Sequence, residues 1–181
     1  MSFNSIIDWE KVISEEVRNR LSNKDGHVKK SSSNIDVNEI NTDDPAHDFL
    51  HFTRVSKMAK KLAQEESAED FIVVPAAWLH DLVNLPKNHP QRHLASRMSA
   101  DAAIDYLQSI QYPSQYLEGI RHSIEAHSYS AAIEASSLEA KIIQDADRLD
   151  SLGAIGLARV FTVGANLRRP IYQAQDPFCI E

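Results

Sequence analysis

The chain has 181 residues, 43% of them hydrophobic, enough for one domain with a real core and too few for two large ones. Its 26 acidic residues outnumber its 19 Lys and Arg, and a formal net charge of −7 argues against nonspecific or stable binding to a nucleic-acid backbone. No apolar run approaches the roughly 20 residues that span a bilayer, the N-terminus "MSFNSIIDWEKVISEEV" is acidic where a secretory leader would be basic, and the single cysteine, Cys179, has no internal disulfide partner, so the expected setting is a reducing cytoplasm.

Five glycines and seven prolines leave long stretches free for helix, and alternating β-branched runs are scarce. Residues 5–21 carry Ile6, Trp9, Val12, Ile13, Val17 and Leu21, the spacing of an amphipathic helix. Residues 22–44 are polar and rich in Ser, Asn and Asp, which predicts a loop. From Ala46, Phe49, Phe52, Val55, Met58, Ala59 and Leu62 recur at intervals that predict a second helix. "DFIVVPAAWLHDLV" has strand-like propensity at its start, but Pro75 counts against a central strand. A buried helix with Pro75 in its first turn is expected instead.

"NLPKNHPQRH" reads as a loop. Residues 94–110, 115–127 and 137–150 are predicted helices, with "YPS" breaking the first from the second and Ser114 as a cap. Residues 151–166 are expected as short helix or turn, and the tail from Arg168, with Pro170 and Pro177, as irregular. The sum is an all-α bundle of about six or seven helices with no internal repeat, organised as an N-terminal helix and polar loop over 1–44 and a main domain over 45–181.

Several polar residues do not fit a plain core. His51 falls among Phe49, Phe52 and Val55. His80 and Asp81 end the apolar segment "AAWLHDLV". Asp145, Asp147 and Asp150 sit between Ile142–Ile143 and Leu149–Leu152. A carboxylate in such surroundings needs a cation or strong hydrogen bonds, and a shared divalent metal is an economical answer. Imidazoles and carboxylates form a mixed N/O site that suits Mn²⁺, Fe²⁺, Co²⁺, Ni²⁺ or Zn²⁺ better than Ca²⁺. Adjacent His80 and Asp81 point about 100° apart on a helix, so they reach one ion only near a helix end or with the ion between their directions.

"HFTRVSKMAKKLA", "AAWLHDLV" and "QDADRLDSLGAIG", in that order, resemble the H…HD…D signature of the HD-domain metal-dependent phosphohydrolases. With "PKNHPQR", "HSIEAHSYSA" and the flanks, the resemblance extends over roughly residues 45–178 and is to the small single-domain bacterial type, some of which act on nucleoside triphosphates. It implies an HD-domain helical bundle in which His51, His80, Asp81 and Asp147 hold one divalent transition metal, with a second metal as an option. His47, one turn before His51, lines the site or the surface, and Asp48 orients a ligand histidine. Asp145 and Asp150 are expected to be structural or to support a ligand.

The Lys usual three residues after the HD aspartate is here Asn84. Lys87 and Arg92 are the candidate phosphate-binding cations. His122 and His127 are candidate catalytic groups, as phosphate donor, acid or second-metal ligand. They lie about 140° apart on a helix, so both reach one point only where the helix ends. Tyr129 and Phe161 are either core or surfaces for base stacking. The resemblance also implies a further helical segment beyond "DPF".

The activity it implies is hydrolysis of a phosphate ester or anhydride, with a nucleotide as the small-molecule partner and pyrophosphate loss from a nucleoside triphosphate favoured. The alternatives are monophosphate or cyclic-nucleotide hydrolysis, or a non-catalytic metal-stabilised nucleotide-binding module. The sequence sets no oligomeric state.

Overall fold

The computed structural model describes residues 5–22, 48–85, 89–172, 174, 175 and 177. The described residues form seven α-helices and no strand: α1 (Ile6–Ser22), α2 (Phe49–Glu66), α3 (Asp70–Leu79), α4 (Ala95–Ser109), α5 (Leu117–His127), α6 (Leu138–Leu149) and α7 (Gly153–Asn166). All but one residue of the expected 22–44 loop lies outside the described residues.

The helix ends are written in local chemistry. Asp48 caps α2 by accepting the His51 amide, and Ser137 caps α6 by accepting the Ala140 amide. Ser67 closes α2 in the left-handed region at φ 58°, with its N–H on the Ala63 carbonyl. Between these ends, apolar residues three and four apart turn one stripe of each helix inward: Trp9, Ile13 and Val17 on α1; Phe52, Val55, Ala59 and Ala63 on α2; Ile142, Ile143 and Ala146 on α6.

α3 differs because it is buried on every side from Val73 to Leu79, and it packs against α1, α2, α5 and α6. It is the axis of the bundle, which explains why its sequence is continuous in hydrophobicity rather than striped. Glu10 of α1 fastens the N-terminal helix to this axis: its Oε1 accepts from Trp78 Nε1 at 3.0 Å and from Lys60 Nζ of α2 at 2.7 Å.

Three expectations need correction. Ser114 does not cap α5: it opens a short 3-10 turn, and Tyr116 stands at the helix N-terminus with no side-chain cap. Pro75 was expected in the first turn of its helix, but α3 begins at Asp70 and Pro75 lies in the second turn. Proline has no N–H for the carbonyl four residues back, which is that of Phe71. The Tyr112 hydroxyl takes the place of that N–H, donating to Phe71 O at 2.7 Å. Residues 151–166 were expected as short helix or turn, but Gly153–Asn166 form a 14-residue helix. Gly153, at φ 65°, redirects the chain out of α6. At Gly156, the buried residue of α7, a Cβ would collide with the Ser151 carbonyl, so glycine permits the close return.

Tyr112 is only 3% exposed and packs edge-on against Trp9, with ring centroids 4.8 Å apart. Tyr112→Phe keeps that ring and leaves the Phe71 carbonyl without its side-chain donor. The expected loss is about 1–3 kcal/mol in urea denaturation monitored by circular dichroism, with helix content unchanged.

Candidate metal centre

Three separate helices deliver the polar residues noted in the sequence to one place. His51 stands in the first turn of α2. α3 ends at Leu79, so His80 and Asp81 occupy its C-terminal end, where consecutive side chains can approach one point. Asp147 lies in the last turn of α6. His51 Nε2 is 3.3 Å from His80 Nε2 and 3.6 Å from Asp147 Oδ1. His80 Nε2 is 3.8 Å from both Asp147 Oδ1 and Asp81 Oδ2. Donor atoms of His51, His80 and Asp81 lie within 4.8 Å of one another, a grouping that could hold a metal ion.

The other ring nitrogens decide what these atoms can do. His80 Nδ1 is 2.8 Å from the Ala77 carbonyl, which only accepts, so Nδ1 carries the proton. His51 Nδ1 is 2.8 Å from Asp150 Oδ2. Burial favours protonation of Asp150, but hydrogen bonds from His51 and Arg54 outweigh it and hold the carboxyl well below the usual range. Asp150 therefore accepts, and His51 donates from Nδ1. In their neutral forms, both rings then present Nε2 lone pairs to each other. Burial pushes the His80 pKa down to about 4, against the protonation that would turn one Nε2 into a donor. Two converging imidazole lone pairs flanked by two carboxylates form a donor set that fits a divalent cation.

Exposure rises from 0% at the two imidazoles to 13% at the Asp81 side chain and 27% at Asp147, so the open side lies at the carboxylates. His127, the last residue of α5, reaches the cluster: its Nε2 is 3.4 Å from Asp81 Oδ1, and its Nδ1 donates to the Ile124 carbonyl at 2.6 Å. Burial works against a charge on His127, but the contact with Asp81 and the field of Asp147 outweigh it and raise its pKa.

Other candidate residues go elsewhere. His122 turns away to the Ser136 amide and hydroxyl, at 3.2 and 2.9 Å from its Nε2. Arg92 donates to Asn84 Oδ1 at 2.8 Å and to the Leu85 carbonyl, tying its own loop together. Asp48 acts on the backbone of His51, accepting its amide at 2.9 Å, while the carboxylate on the ring belongs to Asp150. Asp145 is exposed. Tyr129 and Phe161 are 89% and 49% exposed, so neither is core. His47 and Lys87 lie outside the described residues.

Two arginines absent from the sequence expectations complete the surroundings. Arg54 Nε and Nη2 donate to Asp150 at 2.6 and 3.0 Å, and Arg159 Nη1 of α7 donates to Asp150 Oδ2 at 2.8 Å. Arg54 follows His51 by three residues, a spacing that shares a helix face. Arg159 carried a subtler sign, as the one charged residue between Asp150 and Arg168 in an otherwise apolar and small-residue run.

A family model described as the HD domain matches residues 49–152. YpgQ of Bacillus subtilis is 36% identical over 132 residues, which cover 69% of this chain and 61% of that protein's length. The chain thus spans less than two thirds of that relative. The crystal structure of YpgQ in complex with ADP superposes with a TM-score of 0.65 at 25% identity, covering 94% of this chain and 73% of that one. A Lactobacillus plantarum protein superposes with a TM-score of 0.67 at 25% identity, over 96% and 69% of the two chains. An HD-superfamily hydrolase from Bacillus thuringiensis gives 0.61 at 27% identity, over 94% and 72%. The ordered His51, His80–Asp81 and Asp147 thus sit on the fold that these relatives share, and the chain belongs to the HD-domain family.

Proposed function

We propose that this chain is a metal-dependent phosphohydrolase of nucleotides, and that its favoured reaction is hydrolysis of a nucleoside triphosphate with release of pyrophosphate. The observation that carries the hydrolase reading is the convergence of His51, His80, Asp81 and Asp147 from three helices, with both Nδ1 protons spent on other acceptors. The ADP bound to YpgQ, a relative of the same fold, supports a nucleotide as the substrate class.

His51, His80, Asp81 and Asp147 would hold the ion, and the mixed N/O set favours Mn²⁺, Fe²⁺, Co²⁺, Ni²⁺ or Zn²⁺. Such an ion lowers the pKa of a water and polarises a phosphoryl oxygen. The remaining work falls to side chains. The apolar bundle behind His51 and His80 excludes water from one side, so substrate enters over Asp81 and Asp147. His127, its ring fixed by the Ile124 carbonyl, turns Nε2 toward the cluster and donates to a phosphoryl oxygen or the leaving group. Lys87 stays in this proposal as a phosphate-binding cation.

Protein freed of metal and then supplied with Mn²⁺ or Co²⁺ is expected to release pyrophosphate from at least one nucleoside triphosphate in a panel, and to stop on chelation. Orthophosphate from monophosphates would favour the second hydrolase reading, and tight nucleotide binding without product would favour a binding module. Asp81→Asn and Asp147→Asn are each expected to lower metal occupancy, measured by elemental analysis after gel filtration. Their turnover should fall by more than the roughly 100-fold that marks the loss of an outer partner. His127→Asn is expected to keep its metal and lose about 10²-fold or more in kcat, the usual contribution of a positioned proton donor.

A further inference from the structure

Asp150 accepts four side-chain hydrogen bonds. Its Oδ1 takes Arg54 Nε at 2.6 Å, and its Oδ2 takes His51 Nδ1 at 2.8 Å, Arg159 Nη1 at 2.8 Å and Arg54 Nη2 at 3.0 Å. Its side chain is only 6% exposed. A carboxylate that deep with one imidazole for company would be free to rotate or to take up a proton. Two guanidiniums from different helices fix both its charge and its plane.

The two arginines are not equivalent. Arg54 belongs to α2, the helix that carries His51, so it moves with the ligand. Arg159 belongs to α7, which buries only Gly156 and leaves Ile155, Leu157, Val160 and Phe161 between 49% and 65% exposed. Arg159 is partly buried on that helix, with its side chain 17% exposed and donating to Asp150 at 2.8 Å. Gly156, pressed against the Ser151 carbonyl one turn earlier, sets how close α7 comes.

We propose that Arg159 is a positioning residue for the metal centre: from α7 it locks the Asp150 carboxylate, which holds His51 Nδ1–H and thereby aims His51 Nε2 at the ion. The assignment rests on the reading of His51 as a metal ligand. It extends the centre to α7, since α2, α3 and α6 supply the donor atoms and α7 supplies the brace. A partner on the far nitrogen of a ligating imidazole sets ring orientation and donor strength, and its loss typically costs 10–100-fold in metal affinity.

The test is Co²⁺ titration of the metal-free full chain, read by visible absorption, with thermal unfolding of the metal-free protein run in parallel. Arg159→Gln, which keeps a donor and loses the charge, and Arg159→Ala are expected to weaken Co²⁺ binding by about 10-fold or more and to change the absorption band. Their metal-free unfolding temperatures should stay near that of the parent. Arg159→Lys, which restores the charge without the planar fork, is expected to recover part of the affinity. Asp150→Asn should weaken binding at least as much, and adding Arg159→Gln to it should cause little further loss, because both act through one contact.

Parent-like affinity and spectrum in both Arg159→Gln and Arg159→Ala would overturn the assignment. His51→Ala separates the two levels of inference. If it loses Co²⁺ while the Arg159 variants do not, only the brace fails; if it binds as the parent does, the metal site itself is misplaced. Should Arg159→Ala lose its fold, Arg159→Gln and Arg159→Lys decide the matter.

Discussion

The constraint on which the molecule turns is the meeting of two imidazole lone pairs, 3.3 Å apart, inside an apolar helical bundle. Neutral histidine is the form that tolerates this depth, and burial keeps His80 in it. The charged groups around it are graded by depth. Asp147 and Asp81, nearer the surface, meet imidazoles at 3.4–3.8 Å. Asp150, at 6% exposure, is surrounded by an imidazole and two guanidiniums. The deeper the carboxylate, the more cationic its company, as the desolvation cost of an ionised group requires.

The helices also supply the site's backbone support, by the same device twice. At the end of α3, the Ala77 carbonyl accepts Nδ1–H from His80, three residues on. At the end of α5, the Ile124 carbonyl accepts Nδ1–H from His127 in the same relation. The last carbonyls of a helix have no amide of their own turn to bond. Here each such contact satisfies a helix terminus and selects which nitrogen of the ring faces the cluster. Fold stability and ring orientation are therefore served by one hydrogen bond at each place.

Most of the architecture was legible in the sequence, because spacing and burial coincide. Trp9, Ile13 and Val17 repeat at four-residue intervals and face the core, and His51 stood out as a polar residue within the apolar stripe of Phe52 and Val55. The misplaced start of α3 has a specific cause. Local rules put proline in a first turn, whereas the hydroxyl of Tyr112, 41 residues on from the Phe71 carbonyl it meets, makes the second turn acceptable. The centre was legible to a smaller extent. The sequence order of His51, His80, Asp81 and Asp147 carried the resemblance to the HD-domain phosphohydrolases, and the fold brings their donor atoms together. Spacing could not tell that Asp48 would bind an amide and Asp150 a ring, nor that His122 would turn to Ser136. Those outcomes depend on how helices cross, which periodicity does not encode. Arg159 was harder still, since its partner lies beyond a glycine turn whose direction is a tertiary fact.

The contacts that shape the centre span long stretches of chain: 99 residues separate His51 from Asp150, and 96 separate Arg54 from the same carboxylate. Closing so large a loop is entropically late, after the local helices have formed and collapsed. During synthesis, the α2 histidine therefore emerges well before the carboxylate that fixes its tautomer, and no early fragment of the chain owns a finished cation cage. In the proposed reading of the centre, acquisition of an ion is thereby tied to completion of the bundle, an ordering in time imposed by topology alone.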